Sequence, residues 1–317
     1  MFKYRAFLTL NPPHRHAARN DSPVEGRTRR AFELLARMRY CYTDRMSGWS
    51  EPKFAWEPLT PRGVAAYARA SLRRLFMVQT VVAALAALAV GFFLLEDVFP
   101  TVSAAVNALP DQGRLHHGRL EWSGNSPDLL AEGPLLAFIV DMDHTGQIRS
   151  PADLQFEFGT NSLAIISLLG KAEVPYPDDF GPQMYVPVNR PDLQPQWDAW
   201  RPDVLLSAVV GTFVGLMLTW FGLATVYCLP VWVIASVTGR QLGFGGAWRL
   251  AGAALMPGAL LVTLALGAYV LGICDLLQFL YAFGLHWVLG WIYLGVAPLF
   301  LAVTGHQAPK NPFKPKA

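Results

Sequence analysis

The sequence predicts an all-α membrane domain of four transmembrane helices with a small extracytoplasmic α/β domain inserted between helices 1 and 2. Three observations predict it. Residues 75–95, 204–239, 250–273 and 283–303 hold no Asp, Glu, Lys or Arg, and about 20 apolar helical residues cross a hydrocarbon core of roughly 30 Å. The intervening charge alternates in sign: residues 1–74 carry 15 basic and 6 acidic side chains, residues 97–202 carry 6 and 14. Between the first two stretches the apolar period shifts from helical to alternating, as strands require.

The first stretch lies too deep in the chain for a cleaved leader and reads as a span over residues 75–96. The second is too long for one simple crossing. It predicts a span to about Tyr227, followed by an extension or kink at Pro230, because proline interrupts the helical ladder. Pro257 and Pro298 are expected to kink the third and fourth spans, and residues 276–281 can join the fourth. Short basic links mark the cytoplasmic side. Arg240, Arg249, Lys310, Lys314 and Lys316 therefore place the basic region 1–74 and the tail 306–317 inside, with residues 97–202 outside and residues 203–305 forming three further spans.

Before the first span, Ser22-Pro23-Val24-Glu25 reads as a capping box for a helix over residues 23–45. Thr60-Pro61 reads as another helix start. Arg62, Arg69, Arg73 and Arg74 form a basic cluster for the membrane surface, suited to orientation or to anionic headgroups. In the external segment, Leu154, Phe156 and Phe158 alternate with Gln155 and Glu157, predicting a half-buried strand. Residues 135–140 predict a central strand, residues 115–122 and 184–188 further strands, and residues 162–169 a helix. The three cysteines, Cys41, Cys228 and Cys274, fit neither a disulfide framework nor a metal-ligand spacing.

Small residues recur at helical spacing: Ala83, Ala87 and Gly91 in the first span, Gly211 and Gly215 in the second, Ala254 and Gly258 in the third. Such residues let helix backbones approach closely in lipid. Packing within one chain is the expectation, and an oligomer interface is the alternative. Mid-span charge, which ion-coupled transport uses, is missing from the sequence. His286, beside Trp287 and Trp291, reads as an interfacial or packed histidine.

The one segment resembling chemistry is Phe138-Ile139-Val140-Asp141-Met142-Asp143-His144-Thr145-Gly146. Asp-x-Asp-x-Thr after an apolar strand resembles the first motif of haloacid-dehalogenase-type phosphatases, where the first aspartate is the nucleophile and Mg²⁺ offsets charge. Lys171 and the Asp178-Asp179 pair, the candidates for its later lysine and metal ligands, follow within 40 residues, which leaves too little chain for that fold. Asp141, Asp143 and Thr145 also match early positions of an EF-hand loop, but its last position is Ala152 rather than glutamate. The reading adopted is a strand-to-strand turn in which Asp and Thr cap their own backbone and Gly146 takes a positive φ. No catalytic residue, metal or cofactor is assigned. His116 and His117 read as a strand or turn pair.

Ile139-Val140-Asp141-Met142-Asp143-His144-Thr145-Gly146, together with Ala247-Trp248-Arg249-Leu250 and Ala254-Leu255-Met256-Pro257, resembles an uncharacterised bacterial family of the Yip-type membrane superfamily over residues 50–305. Members more often carry Asp-Thr-Thr-Gly where Met142, Asp143 and His144 intervene here. The resemblance implies one helix, an external domain and three helices in a bacterial inner membrane, with no enzymatic activity. The resemblance supplies an architecture rather than a reaction, and the leading expectation is a scaffold or accessory subunit that contacts partner proteins through the external domain and the basic arm. A component of a transport or channel assembly is the alternative, and a tethered phosphatase a remoter one. The lipid bilayer is the one partner required outright; nucleic acid is not expected.

Overall fold

The computed structural model describes residues 57–177 and 185–303. The helix expected over residues 23–45, the capping box and the tail 306–317 lie outside them. Four helical stretches are long and apolar enough to cross a membrane: Leu72–Ala108, Arg190–Val237, Phe244–Val270 and Leu276–Phe300. They fit an integral membrane protein, and a separate sheet-containing domain sits between the first two.

The chain enters through α1 (Pro61–Ala66), with Thr60 as its N-cap accepting from the Gly63 amide and Pro61 at the first turn. This segment lies in the bundle rather than along its surface. Val64, Tyr67 and Ala68 are buried in the same core as Leu75, Leu250 and Met256. Arg249 closes the contact by donating from Nη2 to the Ala68 carbonyl at 2.8 Å. Arg240 likewise donates to the Leu301 carbonyl at 2.7 Å. The link arginines thus satisfy the carbonyl ends of short helical segments, a use of charge the topology argument did not anticipate.

The first span, α2 (Leu72–Phe93), continues through a π-helical turn (Leu94–Val98) into α3 (Phe99–Ala108). The helical path therefore runs well beyond the expected boundary at residue 96. The π turn buries Asp97, whose Oδ2 has no hydrogen-bond partner among the described residues. The second span belongs to α4 (Arg190–Val237), one continuous helix that starts inside the expected external domain and passes Pro195, Pro202 and Pro230. The third stretch is two helices, α5 (Phe244–Ala254) and α6 (Met256–Val270), broken at Leu255. Pro257 explains the break: it lacks an N–H for the ladder and its ring clashes with the preceding turn, so it is seated in the first turn of a new helix. The last is α7 (Leu276–Val296), closed by an Asp275/Gln278 capping box that brings residues 276–281 into the helix. Pro298 lies in a 3₁₀ turn, Ala297–Phe300.

The small-residue positions divide. Ala83, Ala87, Gly91 and Ala254 are buried. A Cβ on Gly91 would sit 2.9 Å from Val209, and one on Gly258 would sit 2.8 Å from the His286 carbonyl oxygen. Gly211 and Gly215 face outward, with no described atom within 4 Å of a Cβ at either. The expected packing within the chain therefore holds for the first and third spans and fails for the GxxxG pair of the second.

The domain between the first two spans is built from sheets, and among its described residues the helical parts are the extensions of the spanning helices. Strands β1 (Gly113–His116), β2 (Arg119–Trp122) and β8 (Val186–Pro187) form one antiparallel sheet in the order β2-β1-β8. The strand expected over residues 115–122 is a hairpin that turns at His117 and Gly118, both with positive φ. The second sheet holds β3 (Asp128–Glu132), β4 (Leu136–Val140), β5 (Leu154–Phe158), β6 (Ser162–Ser167) and β7 (Gly170–Pro175), hydrogen-bonded in sequence order. Residues 162–169 are not a helix. Ile165 and Ile166 favour the pleated sheet, and β6 can pair with neighbours on both sides.

One contact pairs the extended helix ends and another ties this domain to the bundle. Trp197 of α4 donates to Ser103 Oγ of α3 at 2.8 Å and packs edge-on against Phe99. Tyr269, near the end of α6, donates its hydroxyl to Asp153 Oδ2 at 2.7 Å.

Replacing Gly258 with valine forces side-chain atoms onto the His286 backbone and should destabilise the protein by about 1–3 kcal/mol. Gly211→Val meets open space and should change stability by under about 0.5 kcal/mol. Thermal unfolding of both purified variants in the same detergent checks the contrast; equal losses would refute this assignment of faces.

Candidate functional site

The pairing of β4 with β5 creates the site. These strands are parallel, Leu136 opposite Leu154 and Val140 opposite Phe158, so residues 141–153 must return along the sheet from the end of β4 to the start of β5. Parallel neighbours ordinarily use a helix for this crossover. Here the return is irregular backbone, whose polar groups need partners wherever it lies against the sheet.

The partners come from β5. Gln155 and Glu157 lie on one face and are buried; Leu154, Phe156 and Phe158 lie on the other and are only half-buried. The alternation expected from sequence is present with its faces reversed. Gln155 accepts from the Ser150 amide at 3.3 Å, and its amide nitrogen contacts Glu157 Oε2 at 3.4 Å. Glu157 Oε1 lies 2.6 Å from His144 Nδ1. The polar residues of β5 thus face the crossover and satisfy it, leaving the apolar residues to the opposite side.

At the start of the crossover, Asp141 caps the turn expected from sequence. Its Oδ2 accepts from the Thr145 hydroxyl at 2.7 Å and from the Gly146 amide at 2.9 Å, and Gly146 has φ +67°. Burial alone would raise this carboxyl; the Thr145 hydroxyl and the amides of Thr145, Gly146 and Asp143 outweigh it and hold the pKa below the usual aspartate value. Asp141 is 2% exposed and engaged with its own loop, which does not suit a nucleophile that must meet substrate. Among the described residues no three His, Cys, Asp or Glu side chains are placed to hold a metal ion. Asp143 is exposed, and Thr145 is spent on Asp141.

Sequence reasoning missed the group that the fold assembles beside this turn. His144 occupies a left-handed backbone position, φ +50°, and its ring packs where a Cβ on Gly159 would otherwise stand, 2.1 Å from Nε2. With Nδ1 directed at Glu157, its Nε2 faces Ser162 Oγ at 3.1 Å. In the tautomer whose Nδ1–H donates to a Glu157 carboxylate, Nε2 is the nitrogen that accepts the serine proton. Ser162, His144 and Glu157 are therefore linked in the order of a nucleophile, a base and its orienting acid. Gly159 followed by Ser162 at a strand turn was the available signal, but pairing it with His144 requires the crossover's path.

The opposite face of the sheet carries Phe138, Phe156 and Phe158 with Leu163, Ile165 and Val174. The registers set these residues on one side, and each is half-buried or exposed. Phe138 and Phe156 stack with centroids 5.5 Å apart. Among the described residues no strand pairs with the outer edge of β7, which carries Lys171, Glu173 and Pro175, a composition that discourages further strand pairing.

In the bundle, an apolar cavity of about 270 Å³ lies between α4 and α7 with α2 and α6 behind it. Tyr227 and Trp291 pack edge-on in its lining, centroids 5.1 Å apart. His286 also lines it, its ring between Phe283 and Trp287. Of the basic cluster, Arg62 lies over the Phe300 ring at 5.7 Å, while Arg73 is exposed.

No family model, curated protein or solved structure matches this chain.

The depressed Asp141 pKa stabilises the folded domain at pH values above the usual carboxylate range, and this contribution is lost as pH falls through the folded value. Asp141→Asn should therefore lower stability by about 2 kcal/mol at neutral pH and flatten part of the acid limb. Denaturant unfolding of both proteins in detergent across that pH range tests the sign. A variant with an unchanged acid limb would show the carboxylate to be unimportant.

Proposed function

We propose that this protein is a non-enzymatic scaffold or accessory subunit of a bacterial inner membrane, with its β domain outside as the recognition surface. The observation that carries this reading is the half-exposed aromatic face formed by Phe138, Phe156 and Phe158. Half-buried aromatics clustered on one rigid face are the usual composition of a protein-binding patch. The crossover accounts for the other face, so the aromatic side is the one left for a partner with apolar side chains. Orientation follows the charge split between residues 1–74 and 97–202, which leaves the basic arm and both termini in the cytoplasm. Residues 1–74 would then offer a second, cationic contact for a partner or for anionic lipid.

A photo-crosslinking residue at position 156 should give a discrete protein adduct in intact cells, whereas the same residue at exposed Asp143 should not. Phe138→Asp should remove the adduct while leaving the protein in the membrane at normal level. Adducts of equal pattern at both positions would sink the assignment of this face.

The linked Ser162, His144 and Glu157 support a second reading, acyl-transfer chemistry at the end of the sheet. In it Ser162 Oγ attacks a carbonyl, its proton passes to His144 Nε2, and Glu157 holds the Nδ1–H. A fluorophosphonate probe should then label the wild type and fail to label Ser162→Ala and His144→Gln. No labelling of the wild type leaves His144 as the anchor of the crossover alone.

A further inference from the structure

We propose that the tip of the β6–β7 hairpin, Leu168 and Leu169, enters the lipid–water boundary on the side of the membrane that carries the β domain. The hairpin thereby gives that domain a lipid contact of its own. The argument rests on the four helices crossing a bilayer, and is independent of what binds the aromatic face.

Register comes first. Leu154 pairs with Ser167, and Ser167 pairs with Gly170, so the turn between β6 and β7 lies at the end of the sheet where β5 begins. That end is the one fixed to the helix bundle. Asp153, immediately before β5, accepts from Tyr269 near the close of α6. Gly133, in the turn between β3 and β4, lies so close to Thr101 of α3 that a Cβ there would stand 2.2 Å from its hydroxyl oxygen. Two connections at this end of the sheet thus meet the bundle, and the third, at Leu168 and Leu169, lies at the same end with no such contact among the described residues to cover it. The α6–α7 connection at the same level exposes Leu271 and Ile273, as a boundary facing lipid permits.

Composition supplies the independent observation. A two-residue hairpin turn is normally built from Asn, Asp or Gly, whose backbones tolerate its angles. Here the unusual angle falls on Gly170, φ +120°, and the two central positions are both leucine. Leu169 is 99% exposed and Leu168 62%. Neither packs into the domain, so local folding gives no reason for them. At the other end of the sheet, the exposed positions of comparable placement are Asp143, Thr145 and Asn161. An apolar tip at one end and polar loops at the other is the distribution that a lipid surface on one side selects.

The test uses the full chain with Cys41→Ser, Cys228→Ala and Cys274→Ser, carrying single cysteines for a nitroxide label. It is reconstituted into vesicles of phosphatidylcholine with a minority of phosphatidylglycerol. The label is placed in turn at Leu169, at Asp143 and at Leu264, an exposed position midway along α6. Collision with molecular oxygen, which concentrates in lipid, is compared with collision with a water-soluble nickel chelate. The Leu169→Cys label should favour oxygen several-fold over the Asp143→Cys label and lie between it and Leu264→Cys. Nickel access at 169 equal to that at 143 overturns the proposal, as does shielding of 169 from both reagents, which would mean protein covers the tip. Nickel access at 264 would instead overturn the membrane reading itself. Because the label is itself apolar, an unlabelled Leu169→Cys protein is also exposed to a charged maleimide. It should react several-fold more slowly than Asp143→Cys in vesicles, and at a similar rate in detergent above its micelle concentration once lipid is diluted away; equal rates in vesicles count against insertion.

Discussion

Parallel pairing of β4 with β5 is the constraint from which the rest of the β domain follows. It sends residues 141–153 back along the sheet without a helix, and irregular backbone against a sheet face carries donors and acceptors that cannot be left unpaired. Each buried group left unmatched costs about 1–3 kcal/mol. Gln155 and Glu157 therefore turn toward the crossover. The three phenylalanines of β4 and β5 are then committed to the other side, where only part of their surface is covered. One pairing decision thus creates both a polar cluster and an aromatic face.

The same constraint explains why the site was only partly legible in the sequence. Asp141, Thr145 and Gly146 interact within five residues, and their turn could be read directly from residue type. Strand β5 was equally visible as an alternating segment, but alternation fixes a period and not which face is buried. The direction was set by residues 141–153, whose path depends on parallel pairing, and nothing local announces that. His144, Glu157 and Ser162 belong to the same class: three residues from three elements, joined only once the crossover and the β5–β6 turn are in place.

The membrane segments show a similar division. Hydropathy located all four because lipid imposes length and polarity on each helix separately. It could not say which small residues face a neighbour. Gly91 and Gly258 lie in contacts and Gly211 and Gly215 do not, although all four have the same local spacing. Helix ends were blurred for a related reason: the sequence marks where apolar character stops, whereas α3 and α4 run on past it, paired through Phe99, Ser103 and Trp197. Conversely Leu255 ends α5 inside an apolar stretch, where hydropathy sees no boundary and Pro257 does.

That pairing of α3 with α4 has a mechanical consequence. The helices leaving the bundle are the ones that hold the β domain, with no flexible linker between α2 and α3 and none within α4. The β domain therefore joins the bundle through α3, against which β3 and β4 pack, and through the Tyr269–Asp153 bond to α6. The π turn at Leu94–Val98 sits on that path, and it is the point where the helical ladder departs from its regular spacing. Buried Asp97 lies in that turn with an oxygen lacking a protein partner. One continuous helical path with an irregular turn at Leu94–Val98 thus joins the bundle to α3, and the β domain is seated on that helix rather than on a loop.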